Sequence, residues 1–91
     1  MNENKTVTTP YEVIEEIEIL REYAFGIISD IVNINEKGQS NFISKLLKGV
    51  KDSVSDLYNE IFRINTLKDI YICRGKLQAF DEIVKSIKDK E

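Results

Sequence analysis

The sequence predicts an all-α protein, either a three-helix bundle or a helical hairpin with coiled-coil-like packing. Apolar residues recur at steps of four and three along three separate stretches, which is the spacing of one face of an α-helix. No β-strand is evident between them. Residues typical of turns and helix starts, such as Asn, Gly, Ser and Thr, separate the stretches. We therefore place helices near residues 10–35, 42–64 and 67–88.

The chain is expected to form one small domain. It has 91 residues, of which 42% are hydrophobic and 32% charged, a composition typical of globular proteins. Residues 1–8 show no apolar periodicity, so we expect a flexible tail there and a single helical domain over residues 9–91. The N-terminus has no charged and then apolar leader, which predicts a location in the cytoplasm of a host cell or in a virion.

The first helix has a clear start signal. Thr9 is suited to the N-cap, Pro10 to the first helical position, and Glu12 follows the cap by three residues. A heptad seam then runs to the predicted end near Asn35, and it consists of Val13, Ile17, Leu20, Ala24, Ile27, Ile31 and Ile34. A second stripe of Phe25, Ile28 and Val32 widens the apolar face, as a globular bundle requires.

The second helix repeats the same pattern after a turn around Gly38. Ser40 or Asn41 can cap it. Its seam consists of Ile43, Leu47, Val50, Val54, Leu57, Ile61 and Ile64. Gly49 within it costs about 1 kcal/mol relative to Ala unless a neighbour packs closely there.

The third helix begins where the apolar register slips. Thr66, with Asp69 three residues later, resembles a helix start and favours a break, although one continuous helix over 42–88 stays an alternative. The third seam consists of Ile70, Cys73, Leu77, Phe80, Val84 and Ile87. A second face of this helix combines Ile72, Gly75, Ala79 and Ser86, where low side-chain bulk lets another backbone come close.

These extra faces give the candidate interface. Its residues are Ile72, Arg74, Gly75 and Ala79 on the third helix and Phe25 and Ile28 on the first. We expect Arg74 to pair with an acidic residue of the first helix, such as Glu22 or Asp30, within the chain or across an interface. The limited core of so small a domain, together with these faces, predicts a protein partner or a homo-oligomer.

Charge and composition exclude most sites for chemistry. The chain has no His, and Cys73 is its only cysteine, so we expect no enzyme activity, no bound metal and no cofactor. Between residues 10 and 36 seven acids accompany Arg21 alone, whereas residues 37–91 carry eleven bases and eight acids. We interpret this as an acidic first helix packed against mildly basic later helices.

The lysines raise two other possible binding functions, to a membrane surface and to a nucleic acid. Lys45, Lys48 and Lys51 beside an apolar stripe also suit a membrane-surface helix, but pairing with the acidic first helix explains them equally. A nucleic-acid site on the third helix would use Lys68, Arg74, Lys76, Lys85 and Lys88, which alternate with acids. We therefore expect neither a membrane nor a nucleic acid as partner.

The segment from Arg74 to Phe80, Arg-Gly-Lys-Leu-Gln-Ala-Phe, resembles the C-terminal helix of short all-helical phage and prophage proteins. This resemblance implies a phage-type accessory or virion component. The resulting hypothesis is a non-enzymatic structural or assembly protein that acts by self-association or by docking on a larger protein. The alternative is a small soluble modulator that binds and inhibits a host protein or sequesters a ligand.

Overall fold

The protein is a bundle of three helices packed side by side. The computed structural model describes residues 10–90, with α1 over Pro10–Glu36, α2 over Asn41–Ile61 and α3 over Leu67–Asp89. The bundle is elongated, measuring 54 × 19 × 16 Å. The predicted all-α bundle is confirmed. The tail expected at 1–8 and the cap expected at Thr9 lie outside the described residues.

The turn between α1 and α2 uses Gly38, whose φ of 86° is unfavourable for residues with a Cβ. The backbone N–H of Gly38 donates to the carbonyl of Asn35 at 3.0 Å, which closes the end of α1. Ser40 is the N-cap of α2, because its hydroxyl accepts a hydrogen bond from the N–H of Ile43 at 3.2 Å. Ser40 and Asn41 were both predicted as possible caps, and Ser40 is the one that caps α2.

The junction between α2 and α3 is a true break. Thr66 has extended backbone angles, and its hydroxyl accepts a hydrogen bond from the N–H of Asp69 at 3.2 Å. The continuous helix over 42–88 is therefore wrong. The predicted end of the second helix near residue 64 is also too late, since α2 ends at Ile61. Ile64 lies in the connection, yet it still packs half-buried against the core.

The three predicted seams meet in one core. Nine of the core side chains are fully enclosed: Leu20, Ile27, Ile31, Leu47, Val54, Ile61, Ile70, Leu77 and Val84. The remaining seam residues are buried or half-buried against them. Each fully buried aliphatic side chain contributes roughly 1.5–3 kcal/mol of transfer free energy. The apolar seams therefore hold the bundle together.

Three polar contacts join α1 to α3 at one constant separation along the sequence. Arg74 Nη2 lies 2.6 Å from Glu16 Oε1, the Tyr23 hydroxyl donates to Asp81 Oδ2 at 3.1 Å, and Lys88 Nζ lies 3.7 Å from Asp30 Oδ1. Successive contacts are seven residues apart on both helices. We call this set the α1–α3 ladder. It shows that α1 and α3 run parallel in a single register.

The ladder corrects the predicted partner of Arg74. Glu16 pairs with Arg74, whereas Glu22 and Asp30 do not, because the parallel register puts Glu16 at the level of Arg74. Asp30 lies two rungs further along and pairs with Lys88 instead.

Candidate protein-binding surfaces

The six predicted interface residues fall on separate parts of the molecule. Ile72, Gly75 and Ala79 are exposed on the outer side of α3. Phe25 is exposed on α1, and Ile28 beside it is half-buried against the core. Arg74 bridges α1 and α3 in its half-buried ion pair with Glu16, so it joins two helices of the bundle.

One exposed apolar surface follows α1. Tyr11, Ile14 and Phe25 are 71%, 58% and 64% exposed, and their spacing with Glu18 places them on one side of the helix. We call these four residues the α1 face. Tyr11 and Ile14 were missed by the sequence analysis, which followed only the seam and the stripe beginning at Phe25. Their signal was present as apolar side chains outside the heptad positions.

A cluster around Arg21 supports the α1 face from the side of α2. Arg21 Nη1 lies 3.1 Å from Glu18 Oε2, and its guanidinium carbon lies 5.2 Å from the ring centre of Phe62. Tyr58 packs edge to face on Phe62, with ring centres 5.6 Å apart. A hydrogen bond to Tyr58 and the charge of Glu18 raise the pKa of Arg21. Arg21 therefore stays charged, and it links the α1 face to the ring of Tyr58 on α2 and to the ring of Phe62 directly after α2.

A shallow hollow lies within this cluster. It has a volume of about 240 Å³ and is lined by Glu18, Arg21, Glu22, Phe25 and Tyr58. Aromatic, aliphatic and charged groups are thus combined at one exposed place, which is a composition typical of protein interfaces.

Only some of the acidic residues of α1 form ion pairs with other helices of the bundle. Glu16 and Asp30 pair with α3, as the interpretation of an acidic helix on basic ones predicts. Glu15 and Glu22 are exposed, and the structure records no ion pair for either within residues 10–90. The α1 face therefore lies in an acidic surrounding.

The lysines of α2 do not fulfil their predicted role. Lys48 pairs with Asp52 one turn further along α2, at 3.3 Å, and both side chains are largely exposed. Lys45 and Lys51 are also exposed, and no ion pair of these three lysines with α1 is recorded among the described residues. Helix α2 is held to α1 by the apolar seams and the Arg21 cluster.

The outer side of α3 is a second exposed surface. Ile72 is 48% and Ile83 38% exposed, and a Cβ placed on Gly75 would meet no atom within 4 Å. The close approach predicted at Gly75 and Ala79 is thus not made by any described part of the chain. The same holds for Gly49, whose Cβ position is equally open.

Cys73 lies under the groove between α2 and α3. It is buried, and it lines a pocket of about 370 Å³ together with Leu57, Ile64, Ile72 and other residues of this groove. Burial raises the pKa of the Cys73 thiol. The thiol is accordingly a neutral, small hydrophobic group, as its seam position predicts.

Residues 10–90 contain no group of three or more Cys, Asp or Glu side chains placed to hold a metal ion. None of the three described helices combines the length and the apolar content needed to cross a bilayer.

Comparison with protein families gives a match over most of the chain. Residues 9–87 fit the family model described as bacterial epsilon antitoxin. No curated protein and no solved structure matches the chain.

The resemblance of residues 74–80 to phage and prophage proteins is wrong as an assignment, because the family match is to an antitoxin. Seven residues of one amphipathic helix are too few to distinguish families, whereas the antitoxin match includes all three helices. The predicted virion location depended on this resemblance and is no longer supported.

Proposed function

Because the chain belongs to the bacterial epsilon antitoxin family, we propose that it binds a partner toxin protein and blocks the toxin's action. It does so as a stoichiometric inhibitor without a reaction of its own, in the cytoplasm of the bacterium. This corresponds to the modulator that the sequence analysis kept as the alternative, with a toxin as the protein that is inhibited.

The α1 face is the observation that supports a particular binding surface for the toxin. Two large aromatic side chains, Tyr11 and Phe25, are exposed there with Ile14 between them. Exposed aromatic groups in one patch supply much of the binding energy in protein complexes, since they bury a large area with little loss of rotamer freedom. The α1 face is therefore the proposed contact surface for the toxin.

The charge around the α1 face indicates what kind of toxin surface it fits. Glu15 and Glu22 lie beside it with no ion pair recorded in the described chain, and the whole protein carries a net charge of −3. An acidic patch attracts a basic one and accelerates the encounter at low salt. The toxin surface that it fits is apolar at the centre and rich in Lys or Arg at the rim.

The test combines growth with binding. The toxin is the protein whose induced expression stops growth, and co-expression of this chain should restore growth. Phe25→Ala should weaken binding at least tenfold, since loss of a central aromatic contact costs about 2 kcal/mol or more. Phe42→Ala is the matched control, because Phe42 is 75% exposed on α2 outside the α1 face.

The outcomes separate the function from the surface. If co-expression fails to restore growth and calorimetry detects no binding, the antitoxin function is refuted. If both Phe variants bind and rescue alike, the function stands and the α1 face is the wrong surface.

A further inference from the structure

We propose that the hollow beside Arg21 receives one arginine side chain of the toxin when the two proteins bind. This inference rests on the proposed function, because it describes one contact between the α1 face and the toxin. We call the site the Arg21 hollow. It is lined by Glu18, Arg21, Glu22 and Phe25 of α1 and by Tyr58 of α2.

Helical spacing brings the four α1 residues of the Arg21 hollow together. Glu18 and Glu22 are four residues apart, and so are Arg21 and Phe25, so the members of each pair are neighbours on the helix surface. Tyr58 is half-buried and borders the hollow on the side of α2. The volume is about 240 Å³, below the roughly 300 Å³ of the smallest pockets for drug-sized ligands. The hollow therefore suits one side chain of a partner protein.

Charge favours a basic side chain as the occupant. The hollow contains two carboxylates and one guanidinium, so its net charge is −1. Arg21 already contacts Glu18 at 3.1 Å, and its guanidinium lies over the ring of Phe62. Glu22 is exposed, and no ion pair is recorded for it within residues 10–90. The Glu22 carboxylate is therefore the acceptor available to an incoming cation.

The aromatic lining favours a guanidinium over an ammonium group. Phe25 is 64% exposed and lines the hollow together with a second ring from α2. A guanidinium can lie flat on an aromatic ring and donate two parallel hydrogen bonds to a carboxylate, whereas an ammonium group is a compact point charge. The bundle already contains such a combination, since the Arg21 guanidinium contacts both Glu18 and the Phe62 ring. A toxin arginine between Glu22 and Phe25 repeats it.

Other occupants fit the Arg21 hollow less well. An apolar side chain of the toxin would cover the Glu22 carboxylate without pairing it, and a desolvated, unpaired charge is costly. A carboxylate or a phosphate group would meet a net negative charge. The one cation of the hollow, Arg21, is also already paired with Glu18. An arginine alone satisfies both the carboxylate and the ring.

The test compares two glutamates of α1 in the kinetics of toxin binding. Glu22→Gln and Glu15→Gln remove the same charge from exposed positions, but only Glu22 lines the hollow. Loss of a peripheral charge slows association in a salt-dependent way, whereas loss of a buried charge pair speeds dissociation. We therefore expect Glu22→Gln to raise the dissociation rate by about tenfold, at high salt as well as low. Glu15→Gln should change only the association rate, and only at low salt.

The outcomes separate this inference from the proposed function. If the wild-type chain does not bind the toxin, the proposed function fails. If it binds and the two variants dissociate at equal rates, the proposed function stands and the arginine contact is overturned. Both variants should keep the wild-type melting temperature, because neither glutamate has a recorded ion pair to lose within the described chain.

Double-mutant cycles identify the residue of the toxin. Each exposed Arg or Lys of the toxin is replaced by Ala and combined with Glu22→Gln. One Arg→Ala variant should bind the Glu22→Gln chain no more weakly than it binds the wild-type chain, because the contact is already lost. If a Lys shows this coupling, or if no residue does, the assignment to arginine is wrong.

A titration without the toxin tests the Arg21 hollow by itself. Methylguanidinium chloride is added to the full chain, and the ring signals of Phe25 and Tyr58 are followed by nuclear magnetic resonance. These signals should shift in the wild-type chain, less in Glu22→Gln, and less with methylammonium chloride at the same concentration. Equal shifts in the wild-type chain and in Glu22→Gln overturn the proposed site.

Discussion

The hydrogen bond between Tyr23 and Asp81 offers a quantitative test of how α1 is held to α3. Asp81 is only 8% exposed, the one buried charged side chain recorded among the described residues. Its Oδ2 accepts the Tyr23 hydroxyl at 3.1 Å and lies 3.3 Å from the ammonium group of Lys85. Tyr23→Phe removes the hydroxyl while keeping the ring, and it leaves the carboxylate with Lys85 alone.

The expected loss of stability follows from the burial of the Asp81 carboxylate. A hydrogen bond to a charged group contributes about 1.5–3 kcal/mol, and the partial exposure of Tyr23 favours the lower end. We therefore expect Tyr23→Phe to lower the free energy of unfolding by about 1.5 kcal/mol. For a domain of this size, that corresponds to a melting temperature lower by about 6–12 °C.

The assay is urea denaturation followed by helical circular dichroism, with thermal melts alongside. Tyr11→Phe is the control, because Tyr11 is 71% exposed, and its change should be close to zero. A double-mutant cycle with Asp81→Ala should give a coupling energy of about 1 kcal/mol between the two side chains. If Tyr23→Phe behaves like Tyr11→Phe, or if the coupling is zero, the hydrogen bond does not stabilise the α1–α3 packing.

Five further predictions concern stability and reactivity. Ile31→Val should destabilise the bundle by about 0.5–1.5 kcal/mol, since Ile31 is fully buried, whereas Ile19→Val at a 53% exposed position should have little effect in the same denaturation experiment. Thr66→Ala should cost about 1 kcal/mol by removing the N-cap of α3, and an unchanged denaturation midpoint would contradict that role. Arg74→Ala should cost at most about 1 kcal/mol because its ion pair is a third exposed, and high salt should reduce the difference from wild type; equal melting temperatures at low salt would show that the pair contributes nothing. The Cys73 thiol should react with a disulfide reagent more slowly than free cysteine, because burial raises its pKa, and faster in denaturant. The same shift makes stability fall as the pH rises past 9.0, where the unfolded thiol ionises first, and Cys73→Ala should show a smaller fall.

The sequence was sufficient for the features that depend on local periodicity. The three seams, the cap at Thr66 and the turn at Gly38 each follow from residues a few positions apart, and all are found in the structure. The end of α2 was placed too late because Ile64 continues the apolar spacing although its backbone has left the helix. Spacing reports which side chains are buried, and a buried side chain can belong to a turn.

The candidate surfaces were less predictable. Arg74 was expected to meet Glu22 or Asp30 because many acids of α1 are chemically equivalent partners. Which of them is level with Arg74 depends on how α1 and α3 pack against each other in the bundle, and no local pattern contains that information. Exposure is also a property of the packed bundle: Phe25 and Ile28 were predicted on the same stripe, yet Phe25 is exposed and Ile28 packs half-buried on the core.

The α1–α3 ladder limits how the length of this chain can vary among functional sequences. Its rungs repeat every seven residues, which is close to two turns of helix, so a single residue inserted between Glu16 and Asp30 rotates every later side chain of α1 by about 100°. The rungs beyond the insertion would then face away from α3. The connections at residues 37–40 and 62–66 lie outside the ladder and can change length without turning any rung. Natural variation in length should therefore concentrate in these two connections, while α1 and α3 keep their spacing.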